Sequence, residues 1–178
     1  MPIEYEAKVL GIDPDIVEGK VLDLGGRRVA DRMMRRFVYD VVPGDASRWI
    51  RLRDTGSEVT LTVKEIAHDG IDGTTETEVV VSSFETTNEL LRQMGFKPKS
   101  YQENRRTSFE LYGAQLEIDH WPHIPPYLEI ESHSHEHVVE VAAALGYPEH
   151  ELTGENTIRV YARYNINLAD IPDLRFTD

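Results

Sequence analysis

The chain has 178 residues and a net charge of −13, with 19 Lys and Arg against 32 Asp and Glu. This length predicts one globular domain, residues 1–178, with a proper core. The acidic balance opposes binding to a nucleic-acid duplex or an anionic membrane, since both attract cationic surfaces. The chain has no cysteine, which excludes disulfides, thiolate metal sites and cysteine nucleophiles. The lack of an apolar run of about 18 residues favours a soluble cytoplasmic protein.

The first half of the chain reads mainly as strands. Charged and uncharged residues alternate in PIEYEAKVLG, residues 2–11, and a short helix follows in DPDIVEGKVLDLGG, which begins at a capping Asp13 and ends at two glycines. Residues 55–57 have the composition of a hairpin turn between two alternating runs. The further strands predicted in this half are residues 36–42, 48–54, 58–67 and 74–81.

The second half adds helices to the strand pattern. Leu90, Leu91 and Met94 have helical spacing in SFETTNELLRQMG, residues 83–95. Strands are predicted at 101–112, 114–121 and 127–132, and helices near 136–145 and 156–164. The sequence therefore predicts about eight strands with antiparallel connections, in an α+β domain.

Residues two apart on a strand point the same way, and seven of the predicted strands place charged or polar residues on one face and mostly apolar residues on the other. An open sheet with this face in water is one interpretation. The other is a closed sheet, whose apolar face is covered by helices from outside and whose charged faces meet in an interior wide enough for one small ligand. The charged or polar faces are Glu4, Glu6 and Lys8; Arg51 and Arg53; Thr60, Thr62 and Lys64; Glu76 and Glu78; Asn104 and Arg106; Glu117 and Asp119; Glu129 and Glu131.

The types of charge on these faces indicate a chemistry. Carboxylates two residues apart, as in Glu4 and Glu6, are hard oxygen ligands that suit Mg²⁺ or Mn²⁺. The basic residues can bind a polyanion, the arginines in bidentate fashion. Acids and bases in one cavity suggest a metal-bound polyphosphate. Trp49 and Trp121, near strand ends, can stack on a base, but packing is the favoured interpretation for aromatic residues in this position.

Seven short motifs, in chain order, resemble those of the CYTH superfamily, the triphosphate tunnel metalloenzymes. The resemblance implies an eight-stranded antiparallel β-barrel, the triphosphate tunnel, with helices packed outside. The motifs are EYEAK (4–8), RLR (51–53), TVKE (62–65), ETE (76–78), NRRTS (104–108), LEIDHWP (116–122) and YLEIE (127–131).

The resemblance also implies roles for single residues. Lys8, Glu6 and Glu131 are expected to be catalytic. Asn104 stands where related enzymes often have Lys, so one phosphate contact is expected to be lost or taken over by Arg105. The expected Mg²⁺ or Mn²⁺ ligands are Glu4, Glu6, Glu129 and Glu131, helped by Glu78 and Asp119. The expected phosphate-binding residues are Lys8, Arg51, Arg53, Lys64 and Arg106.

The activity preferred on this basis is that of a triphosphatase acting on tripolyphosphate, a nucleoside triphosphate such as ATP, or thiamine triphosphate. Hydrolysis needs only the triphosphate and a water, whereas cyclisation needs an adenine pocket that has no signature in the sequence. Two alternatives stay open: a class IV-type adenylyl cyclase that forms cyclic AMP and pyrophosphate from ATP, and a non-catalytic triphosphate- or polyphosphate-binding module. A homodimer is also left open.

Overall fold

A closed eight-stranded antiparallel β-barrel forms the centre of the α+β fold. The computed structural model describes residues 3–177. The barrel strands are β1 (Ile3–Leu10), β2 (Arg27–Asp40), β3 (Arg48–Asp54), β4 (Val59–Ile66), β5 (Thr74–Val81), β6 (Pro98–Leu111), β7 (Ala114–His120) and β8 (Tyr127–Ser132), and β9 (Asp173–Leu174) pairs in parallel with β6. The helices of this part of the chain are α1 (Pro14–Asp23), α2 (Phe84–Gln93), α3 (His135–Ala144) and α4 (Thr157–Arg163).

Hydrogen bonding closes the sheet on itself. The strand order is β2-β3-β4-β5-β1-β8-β7-β6, and β6 pairs again with β2. Arg36 of β2 accordingly lies opposite Arg53 on one side and opposite Gln102 on the other. Because β1 and β2 are four strands apart in either direction, they face each other across the barrel. The predicted barrel is confirmed.

The main apolar core lies outside the barrel, between the sheet and its helices. Ala7 of β1 and Ile130 of β8 belong to one buried cluster with Val17 of α1 and Val141 of α3. Smaller clusters join α4 to the start of β8, and α2 to β2 and β3. Since successive strand residues point to opposite faces, an apolar outer face sends the charged neighbours into the barrel.

The predicted helices are confirmed, with boundaries set by side-chain caps. The Asp13 carboxylate accepts hydrogen bonds from the backbone of Asp15 and Ile16 at 3.0 and 3.2 Å, and Ser83 caps α2 in the same way. Such caps satisfy backbone donors that have no partner within the helix. None of the helices in residues 3–177 has the length and apolar character required to cross a membrane.

The predicted strand 36–42 is too short at its start, since β2 begins at Arg27. Its first seven residues are almost all exposed and pair with β6 beyond the end of β3. Neither face of this ribbon is buried, so the sequence there has no apolar alternation to detect. In place of a buried face, this ribbon has backbone pairing with β6 and exposed ion pairs between the strands, such as Arg105 with Asp31 at 2.6 Å.

Candidate active site

The charged strand faces converge on one cavity of about 450 Å³ inside the barrel. Within residues 3–177, seven acidic and seven basic side chains line it. Asp119, a further predicted site residue, is fully buried beside the cavity and paired with Arg106. The open-sheet interpretation is therefore wrong. The other predicted site residues all line the cavity: Glu4, Glu6, Lys8, Arg51, Arg53, Lys64, Glu78, Arg106, Glu129 and Glu131.

Four carboxylates on β1 and β8, Glu4, Glu6, Glu129 and Glu131, form what we call the acidic wall. Glu6 lies directly opposite Glu131 in the pairing of the two strands, an arrangement of like charges that destabilises a sheet. Burial, with the charges of Glu129 and Glu6, raises the pKa of Glu131 to about 7. Burial also raises the pKa of Glu4 to about 8, against the attraction of Lys64. The wall is short of positive charge.

Two lysines are the counter-ions of this wall. Lys8 Nζ lies 3.1 Å from both Glu6 and Glu129, and Lys64 Nζ lies 2.8 Å from Glu4. Burial alone would lower the pKa of Lys8, but the charges of Glu6 and Glu129 outweigh burial and raise this pKa above its ordinary value. Lys8 therefore stays protonated and acts as a cation rather than as a general base.

The acidic wall has the donor chemistry of a hard divalent cation site. Its ligands are carboxylate oxygens, and the described cavity lining contains neither His nor Cys, so Mg²⁺ or Mn²⁺ fits better than Zn²⁺. In residues 3–177, no three Asp, Glu or His side chains converge closely enough to hold a metal ion as they are placed. Instead, Lys8 bridges Glu6 and Glu129, and Lys64 bridges Glu4 and Glu76.

Four arginines, Arg36, Arg51, Arg53 and Arg106, form what we call the arginine wall on β2, β3 and β6. Burial, together with the charges of Arg51 and Arg106, lowers the pKa of Arg53 to about 9. The buried Nε atoms of Arg51 and Arg53 have no hydrogen-bond partner in the described chain. Unpaired buried donors are costly, and the oxygens of a phosphate would satisfy them.

Arg106 is held in place by a buried carboxylate. Its Nε and Nη2 donate to the two oxygens of Asp119 at 2.9 and 2.7 Å, and Asn104 donates to the same carboxylate at 2.9 Å. Asp119 thus orients Arg106, while its role toward a metal stays a prediction. Arg106 also contacts Glu129 of the acidic wall at 3.2 Å.

Arg105 does not take over the phosphate contact that Asn104 lacks. Its side chain is 57% exposed outside the barrel, where its Nε and Nη2 bind Asp31 at 2.9 and 2.6 Å. The alternation of β6 explains this, since Arg106 is the neighbour that faces inward.

The C-terminal part of the chain closes one side of the cavity. Thr153 forms two backbone hydrogen bonds with Lys8, at 2.7 and 3.0 Å, and the Tyr161 hydroxyl donates to the carbonyl of Pro122 at 2.7 Å. These contacts place Asn156 and Thr157 in the cavity lining. The sequence contains no pattern for this contribution, because it comes from a loop and the start of a helix rather than from a strand.

Sequence reasoning missed several cavity residues. Arg36 was not assigned, although Phe37 and Tyr39 form the apolar outer face of β2 and so place Arg36 inside. Trp49 and Trp121 line the cavity in addition to packing. Further lining residues without an expected role include Val38, Glu76, Lys99, Ser100, Gln102, Gln115, Glu117 and Tyr127.

The family model for the CYTH domain matches residues 2–158. The chain belongs to the CYTH domain family. A comparison with curated protein sequences found no significant match.

Several solved structures share the fold. The PH1012 protein of Pyrococcus horikoshii has a TM-score of 0.75 and 21% identity, over 88% of this chain and 98% of its own. A candidate adenylate cyclase from Vibrio parahaemolyticus has a TM-score of 0.74 and 14% identity, over 90% and 98%. A candidate adenylyl cyclase from Hippeastrum, with a dominant triphosphatase activity, has a TM-score of 0.61 and 16% identity, over 96% and 99%. At these identities the likeness shows the fold.

The crowding of the acidic wall predicts a gain in stability from Glu131→Gln. The pKa of Glu131 rises from 4.5 to about 7 on folding, so its ionised form costs stability above pH 7, and the cost disappears as pH falls toward 4.5. In EDTA at pH 8 the variant should raise the free energy of unfolding by about 1–2 kcal/mol. The gain should vanish near pH 4.5. Urea denaturation at both pH values measures this, and equal or lower stability at pH 8 contradicts it.

Proposed function

We propose that the protein is a divalent-metal-dependent triphosphatase whose barrel binds the triphosphate chain of a small molecule. The observation that carries this proposal is the pair of opposed walls, one of crowded carboxylates and one of guanidiniums with unpaired donors. A triphosphate with a bound cation presents both the charges that these walls lack. CYTH membership and the fold relatives are consistent with such an activity.

The acidic wall, Glu4, Glu6, Glu129 and Glu131, would hold Mg²⁺ or Mn²⁺, with Glu78 as an additional ligand, and Asp119 would contribute by orienting Arg106. When bound, the cation neutralises phosphate charge and lowers the pKa of a coordinated water. Lys8 and Lys64, which contact these carboxylates, would supply positive charge for phosphate oxygens in the same cavity.

The arginine wall binds and orients the triphosphate chain. Arg51, Arg53 and Arg106 donate to non-bridging oxygens and stabilise the charge that spreads over them in a loose transition state. Arg106 needs little reorganisation, because Asp119 already fixes its guanidinium. Lys8 acts as a positively charged group at the reacting phosphate, in agreement with its raised pKa.

Cyclisation of ATP is the second candidate. Apolar residues such as Trp49, Ile158 and Leu168 also line the cavity and offer contact to an organic group. We favour hydrolysis because the cavity groups that lack a partner are charged. A metal-bound triphosphate and a water satisfy these groups, and no contact to an adenine ring is needed.

Turnover of a substrate panel tests the proposal. Phosphate release from tripolyphosphate, thiamine triphosphate, ATP and GTP should require Mg²⁺ or Mn²⁺, and no cyclic AMP should form from ATP. EDTA should lower turnover at least about a hundredfold, since the acidic wall repels a triphosphate by several kcal/mol at an effective dielectric constant of about 20. Added metal should restore it. Unchanged turnover in EDTA contradicts metal dependence, and cyclic AMP as the main product selects the cyclase.

Glu6→Gln tests the acidic wall directly. The change keeps the size and strand position of the side chain but removes a charged ligand, so turnover should fall at least about a hundredfold. Melting temperature should change little.

The control for Glu6→Gln is Glu65→Gln. Glu65 is exposed on the outer face of β4, next to Lys64 in sequence. Glu103 also lies outside the barrel. It is a less suitable control, because its carboxylate accepts hydrogen bonds from Tyr101 and Arg175. If Glu6→Gln and Glu65→Gln retain equal turnover, the acidic wall has no part in the reaction.

A further inference from the structure

Arg36 is an inward-facing cation of β2 whose polar contacts are all with neutral groups. Its Nε donates to the Gln102 side chain at 2.7 Å, and its Nη2 donates to the Thr157 hydroxyl at 3.3 Å. Its guanidinium stacks 4.5 Å above the ring of Trp121. These contacts orient the guanidinium at the cavity without neutralising it.

Four other cations of the cavity differ from Arg36 in having a close carboxylate partner. Lys8, Lys64, Arg51 and Arg106 each have a carboxylate oxygen within 3.2 Å, whereas no salt bridge to Arg36 occurs within residues 3–177. The nearest carboxylate of Arg53 is Glu78, at 4.0 Å.

Arg36 and Arg53 are directly opposite each other on β2 and β3. Like charges in opposed positions repel, and burial with the nearby charge of Arg51 lowers the pKa of Arg36 to about 10. Within residues 3–177, the pair therefore forms a positively charged site of two guanidiniums with no carboxylate nearer than 4.0 Å.

This positively charged site lies across the barrel from the acidic wall, where it can bind one end of a metal-bound polyphosphate chain. β2 lies across the barrel from β1, so Arg36 stands on the wall opposite Glu4 and Glu6. Thr157 places it beside the C-terminal segment that lines the cavity. Neither Asn104, whose amide donates to Asp119, nor the outward Arg105 can supply the charge here.

We propose that Arg36 is a substrate-binding residue that, with Arg53, binds the free terminal phosphate of the substrate. Two guanidiniums match the charge of a terminal phosphate, about −1.5 to −2 at neutral pH, better than that of an internal one. The substrate class is then a polyphosphate with at least one unesterified end. This inference rests on the proposed function, since it assigns one part of the same site.

The test compares Arg36→Gln with Arg35→Gln. Arg35 is the preceding residue, but it faces outward and pairs with Asp54 and Glu85 at 3.0 and 2.8 Å, so it is a matched control. The probe is diimidotriphosphate, an analogue of tripolyphosphate in which both bridging oxygens are replaced by NH so that it is not hydrolysed, titrated calorimetrically in Mg²⁺. Arg36→Gln should weaken binding roughly ten- to a hundredfold, as expected for a lost charge-assisted contact. Arg35→Gln should bind like the wild type.

A second ligand tests the preference for a free end. Diadenosine triphosphate carries three phosphates, but both its ends are esterified. Arg36→Gln should leave its affinity within about twofold of the wild-type value, since the lost contact is one that this ligand does not make. An equal loss of affinity for both ligands overturns the assignment to a terminal phosphate.

The remaining outcomes separate this inference from the proposed function. If the wild type fails to bind diimidotriphosphate, the proposed function is wrong. If the wild type binds it and Arg36→Gln binds equally well, only the role of Arg36 is overturned. If Arg36→Gln does not fold, Arg36→Lys replaces it, because lysine keeps the charge but loses the bidentate fork. The lysine variant should weaken binding roughly threefold to tenfold, and wild-type affinity in that variant contradicts the inference.

Discussion

Closure of the barrel places side chains of like charge opposite one another in its interior, and this constraint determines what the cavity can bind. Glu6 faces Glu131 on one wall, and Arg36 faces Arg53 on the other. Buried charges are costly unless they are paired, and the protein pairs them only in part. Lys8 and Lys64 neutralise carboxylates of the acidic wall, while the pair Arg36 and Arg53 has no carboxylate nearer than 4.0 Å within residues 3–177. A cation and a polyanion together would complete both walls.

The fold tolerates the free-energy cost of these buried charges because its main apolar core lies outside the barrel. In most small barrels, apolar side chains fill the interior, but here the helices cover the outside of the sheet and bury residues such as Ala7 and Ile130. The stabilising core and the charged cavity therefore share the same strands but use opposite faces. Period-two alternation links them, so a shift of one residue in register would exchange the two faces.

The sequence predicted what alternation encodes and missed what it does not. The eight strands, the helices and the inward set from Glu4 to Glu131 follow from period-two and capping signals. The start of β2 could not be predicted, because that ribbon buries neither face. The pairing of Asp119 with Arg106 depends on strand register, and the contribution of Thr157 depends on how the C-terminal segment folds back. Neither contact is local in sequence.

The central claim is that the two walls need a cation and a polyphosphate together. Calorimetric titration of the wild-type protein with diimidotriphosphate, in Mg²⁺ and again in EDTA, tests this requirement most directly. The account predicts that binding in Mg²⁺ is at least about tenfold tighter, because only the metal-bound chain relieves both walls. Equal affinity in the two buffers would contradict it, since the carboxylates would then not hold the metal that joins the acidic wall to the triphosphate.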